Sequence, residues 1–158
     1  MGQSIDELQS EKLFNLSLII DHQNLLAIGQ TPTNTRLIAP LLGGSFVGSR
    51  LRGAVLPGGA DWVMLRNDLT MLIDVRITLR TDDDALIYMH YTGIGRAADG
   101  DNARLVRREP MLYPETYIRS TPHFETGAAA YTWLNNIVTI GNGMRTADGV
   151  AYTIFEIL

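Results

Sequence analysis

The chain has 158 residues, with 13 basic and 17 acidic side chains, a formal charge of −4, and 46% apolar against 19% charged residues. That length and balance suit one folded domain with its own core. No cysteine occurs, which removes disulfides, thiolate metal sites and cysteine nucleophiles, and an acidic chain without a basic block argues against a nucleic-acid partner.

Residues 1–12 carry Asp6, Glu7 and Glu11 and no apolar run. We therefore expect no secretory signal, a cytoplasmic location, and a flexible N-terminal segment within a single domain spanning 1–158. The longest apolar runs fall far short of the ~20 residues a membrane helix needs, so no membrane partner is expected. Residues 13–21 place Phe14, Leu16, Leu18 and Ile20 on one face, as a strand does. Residues 39–44 read as a turn before a strand over 45–56. Pro57-Gly58-Gly59 marks another turn, and the extended stretch 60–66 stops at Asn67-Asp68.

Residues 71–80 form the clearest strand: Met71, Ile73, Val75, Ile77 and Leu79 alternate with Asp74, Arg76, Thr78 and Arg80. The Asp82-Asp83-Asp84 turn leads into 85–92 and makes a hairpin. Gly93-Ile94-Gly95 and Gly141-Asn142-Gly143 lack a third glycine for phosphate binding and read as turns. Residues 97–110 are polar and read as an exposed loop, and 116–124 return to extended structure, with Pro122 suiting an edge or a bulge. Residues 127–135 form one short helix, and 137–140 and 150–157 are closing strands. The expected fold is all-β: an antiparallel barrel of about eight to ten strands, closed because closure removes exposed edges. A mean hydropathy of +0.04 leaves apolar strand faces to cover, so a homodimer or larger assembly is expected.

No Gly-Lys-Ser/Thr phosphate loop and no Gly-x-Ser-x-Gly elbow occurs, and His22, His90 and His123 lack metal-ligand spacing. Neither a metal nor a cofactor is expected. Acid–base chemistry has better candidates. Asp74 and Arg76 share a strand face about 7 Å apart, where a carboxylate can move a proton and a guanidinium can hold a developing oxyanion. A salt bridge bracing the strand is the alternative. Glu125, between Phe124 and Thr126, is another candidate acid or base, or a helix cap. Asp61 and Trp62 follow a turn where glycine permits close approach, and Trp62 is either a pocket wall or core. Tyr131, Trp133 and Asn135 sit on the short helix as a lid over a cavity or a plug in a barrel end. His90 shares a face with Tyr88 and Thr92 and would line a lumen.

Leu51-Arg52-Gly53, Pro57-Gly58-Gly59-Ala60-Asp61-Trp62, Asp74-Val75-Arg76, Thr81-Asp82-Asp83, Phe124-Glu125-Thr126-Gly127 and Tyr131-Thr132-Trp133-Leu134-Asn135 together resemble uncharacterised protein family UPF0311, also known as domain of unknown function DUF3237. The resemblance runs from about Gly43 to the C-terminus. It implies a small bacterial or fungal antiparallel barrel, often oligomeric, with no settled activity. The chain departs from the family pattern at Asp84 and Leu69, where glycine-like turn residues are expected. The expected function is a cofactor-independent isomerase, lyase or cyclase acting on a small, partly apolar or aromatic molecule. In it Asp74, Arg76 and Glu125 are catalytic, and Asp61, Trp62, His90, Tyr131, Trp133 and Asn135 bind substrate. A non-catalytic carrier or sensor and an oligomeric structural protein are the competing expectations.

Overall fold

Period-two alternation carries the chain through ten strands: β1 (Ser10–Ile20), β2 (Leu26–Gln30), β3 (Thr35–Val47), β4 (Arg52–Val55), β5 (Ala60–Leu65), β6 (Met71–Thr81), β7 (Leu86–Ala97), β8 (Thr116–Glu125), β9 (Val138–Arg145) and β10 (Gly149–Ile157). The computed structural model describes residues 4–158. Every strand pairing is antiparallel. β1 hydrogen-bonds β10 on one side and β3 on the other, and this closes the sheet. β4 and β5 lie end to end between β3 and β6, while β2 pairs with β3 beyond the end of β1. The result is an eight-position barrel with two extra strands. Among the described residues no helix is long and apolar enough to cross a membrane.

Closure fixes which face of each strand is dry. On β6, Ile73, Val75, Ile77 and Leu79 are buried, and Asp74 and Arg76 point outward. Phe14 packs edge to face on Phe46 and Phe124, with ring centroids 5.5 and 6.0 Å away. One barrel end is stoppered by a 3₁₀ segment, Ala129–Asn136, kinked at Tyr131, whose Leu134 is 1% exposed. The other end is roofed by α1 (Ala103–Val106), whose Leu105 is equally buried.

Several expectations need correction. Residues 39–44 are no turn, because β3 runs straight through them. At Gly44 a side chain would meet the Ser17 carbonyl at 1.9 Å, so glycine there serves close strand approach. Likewise Gly93, Gly95, Gly141 and Gly143 lie inside β7 and β9. Residues 10–12 of the expected flexible segment pair with β10, residues 1–3 fall outside the described residues, and β2 was not foreseen. The polar stretch 97–110 holds α1. Pro122 lies just past Ser120, where the β8–β9 ladder ends, and Thr139 Oγ1 donates to its carbonyl at 2.8 Å. Leu69 and Asp84 adopt left-handed backbone, with φ of 63° and 74°, at the two turns where glycine-like residues were expected.

Candidate functional site

β5 separates two environments by parity. Asp61, Val63 and Leu65 face the lumen, and Trp62 and Met64 face outward. Asp61 thereby enters a small cavity under α1 that encloses about 60 Å³ and opens at its mouth. Ile73, Leu37, Ile118 and Leu105 make its walls apolar, and its polar groups come from Asp61, Arg108, Arg145 and Tyr152.

Asp61 Oδ1 accepts a hydrogen bond from the Asp74 backbone N–H at 3.1 Å. Burial pushes its carboxyl up to about 6, against the opposing pull of that hydrogen bond and of Arg145. Arg145 is only 7% exposed. Among the described residues no carboxylate lies within 4.0 Å of its guanidinium, and its donated contact goes to Met71 Sδ at 3.8 Å. Burial, and then the charge of Arg108, lowers the Arg145 pKa. Burial followed by the Asp61 charge raises that of the Tyr152 phenol, so it stays protonated at neutral pH. Tyr152 packs edge to face on Tyr91 with centroids 5.1 Å apart. Gly143 admits this arrangement, since a side chain there would sit 2.6 Å from the Tyr152 ring. A carboxyl whose pKa burial brings toward neutrality, a buried cation without an ion-pair partner and a protonated phenol around one apolar hollow can exchange a proton with a ligand and hold the resulting oxyanion.

The residues singled out from sequence divide among four places. Asp61 alone among them lines this cavity. Trp62, Asp74, Arg76 and His90 gather on the outer face: His90 Nε2 lies 2.9 Å from Asp74 Oδ1, His90 is the β7 partner of Arg76, and Trp62 shares a shallow groove with Asp74 and Arg76. Glu125 is exposed at the outer end of β8, opposite Tyr88. Tyr131, Trp133 and Asn135 are at the stoppered end. There the Tyr131 hydroxyl donates to Asp83 Oδ1 at 2.8 Å, and the Arg50 guanidinium stacks 4.2 Å from the Trp133 ring. The Asn135 side chain braces the backbone of Thr126 at 2.9 Å on both sides. Arg108, Arg145 and Tyr152 escaped the reading. For Asp61 a signal existed, because it shares parity with Val63 and Leu65. For Arg145 the same-parity residues are Thr139, Gly141 and Gly143, which carry little hydrophobic signal.

The family model for a protein of unknown function (DUF3237) matches residues 8–157, starting well before Gly43. UPF0311 protein RPA1785 of Rhodopseudomonas palustris is 31% identical over 151 residues, 96% of this chain and 97% of that protein. Its crystal structure, described as a conserved protein of unknown function, superposes with a TM-score of 0.88 over 96% of this chain and 99% of that one. A β-barrel-like protein from Acinetobacter baumannii, 31% identical, matches with a TM-score of 0.83 over 96% and 97% of the two chains. A protein from Penicillium herquei described as an enzyme matches with a TM-score of 0.73 over the full length of both at 21% identity; that likeness shows the fold alone.

Proposed function

The chain belongs to the DUF3237 family, and we propose that it is a cofactor-independent acid–base enzyme moving a proton on a small, partly apolar or aromatic molecule held in the barrel cavity, as an isomerase, lyase or cyclase does. One observation carries this reading: Asp61, pushed up to about 6 by burial, shares an apolar hollow with the unpaired guanidinium of Arg145. A general base works best when its pKa lies near the working pH. In the proposed step Asp61 takes a proton from carbon or hydroxyl of the ligand. Arg145 stabilises the negative charge left on the ligand's oxygen, and the Tyr152 phenol donates a hydrogen bond to it. The apolar walls keep bulk water from competing for that charge. That this architecture recurs in a protein described as an enzyme is in keeping with the reading.

The test is proton exchange in D2O. A panel of enolisable aryl ketones and lactones is incubated with the protein and α-proton loss is followed by NMR. Wild type should accelerate exchange on at least one member, and Asp61→Asn should lose about 10²–10⁴-fold of that rate. Equal rates in both proteins on every member would overturn the proposal. Binding without exchange would leave the carrier reading in its place. The outer groove around Trp62, with Leu72 and Ile94 beside it, supports assembly into a homodimer or larger as part of the same proposal, and light scattering on the eluting protein reads it directly.

A further inference from the structure

We propose that the molecule held in the cavity carries a carboxylate, gripped between Arg145 on β9 and Arg108 on the segment that roofs the mouth. The inference deepens the function proposed above and rests on the same cavity.

Its ground is a contrast among neighbouring arginines. In the roof, Arg104 lies 3.2 Å from Glu115 and 3.5 Å from Glu109, and Arg107 lies 3.3 Å from Glu109. Arg108 makes no such ion pair among the described residues and turns into the cavity instead. It does so from a left-handed backbone, φ 59°, a conformation a long side chain rarely adopts unless its surroundings hold it. They do hold it. Asn102 Oδ1 accepts from the Ala97 N–H and Asn102 Nδ2 donates to the Asp68 carbonyl, both at 2.8 Å, and the Arg108 N–H closes on the Leu105 carbonyl at 3.0 Å.

Two guanidiniums thus face one hollow without an acid in contact, and a guanidinium presents the planar fork that a carboxylate matches with two hydrogen bonds. Charge selects the ligand. Arg108 and Arg145 bring two positive charges and the ionised Asp61 brings one negative, so a monoanion neutralises the cavity. A phosphate dianion would oppose Asp61. The ligand's apolar body lies along Ile73, Leu37 and Ile118, which describes a small aromatic or aliphatic monocarboxylic acid.

Calorimetry at pH 7 in chloride-free buffer tests this with 4-oxo-4-phenylbutanoate, its primary amide and phenyl phosphate. Wild type should bind the carboxylate at least tenfold more tightly than the amide and more tightly than the phosphate. Arg145→Met and Arg108→Gln should each erase the preference, and the exposed Arg52→Ala should keep it. Should Arg145→Met fail to fold, the wild-type ratio and Arg108→Gln still decide. Equal binding of carboxylate and amide, tighter phosphate binding, or no binding of any probe would overturn the inference. The two readings separate cleanly. Carboxylate preference without proton exchange sinks the enzyme and keeps the ligand class, whereas exchange on the amide and carboxylate alike does the reverse.

Discussion

Asp61 and Trp62 are adjacent in sequence, yet they serve opposite faces of one barrel wall. The carboxylate enters an apolar-walled hollow with Arg145 and Tyr152, while the indole joins Asp74, Arg76 and His90 outside. The outer cluster has what a sequence search looks for, an acid, a base and an aromatic within one patch. Its Asp74–His90 pair at 2.9 Å is partly open to water, where such pairs contribute little and solvent screens them. The inner cluster has fewer recognisable parts but is buried among apolar side chains, which strengthens their electrostatics. The same residue types thus acquire different chemistry from parity alone.

Exchanging each cluster's acid for its amide should separate the two faces most clearly. Asp61→Asn should cost about 10²–10⁴-fold in proton transfer, and Asp74→Asn less than about threefold, both read by deuterium exchange on the same ligand. Equal losses would erase the distinction between inside and outside. A second contrast sets the stoppered end against the open one. Leu134→Ala, which empties a site 1% exposed, should lower stability by about 2–5 kcal/mol in a denaturant melt while leaving ligand affinity unchanged.

The inner carboxyl also makes stability depend on pH. Because the folded-state pKa of Asp61 is raised from 3.8 to about 6, the native state binds more protons between those values and stability falls as pH rises through them. The stability present below pH 3.8 is lost above pH 6. Asp61→Asn removes that loss and can still accept the Asp74 N–H through its amide oxygen. Thermal melts should show the variant more stable by roughly 2–3 kcal/mol at pH 8, with the difference gone at pH 3.5. A merely structural Asp61 would give a less stable variant at both. The smallest effect is at the β6–β7 turn: Asp84→Gly should add about 0.5–1 kcal/mol by removing left-handed strain at φ 74°, measurable as a small rise in melting temperature.

The barrel was legible in the sequence because most strands alternate cleanly, β6 above all, and its odd-numbered apolar face does pack inward. Glycine was the chief source of error. Gly44, Gly93, Gly141 and Gly143 look like punctuation, yet in a tightly closed barrel they let neighbouring strands and the Tyr152 ring approach. The cavity was legible only at Asp61, whose parity with Val63 and Leu65 places it inside. Arg145 and Arg108 were not, since one ends a glycine-rich strand and the other follows a four-residue helix that no periodicity marks. Where polar groups from β5, β9 and the roof meet depends on closure, which no single segment encodes.

The most direct measurement is the titration of the Asp61 carboxyl carbon by NMR, assigned by its loss in Asp61→Asn. The expected midpoint lies near 6 and climbs further in Arg145→Met, where the favourable charge is gone. A midpoint in the ordinary carboxylate range near 4, unmoved by that substitution, would contradict that expectation.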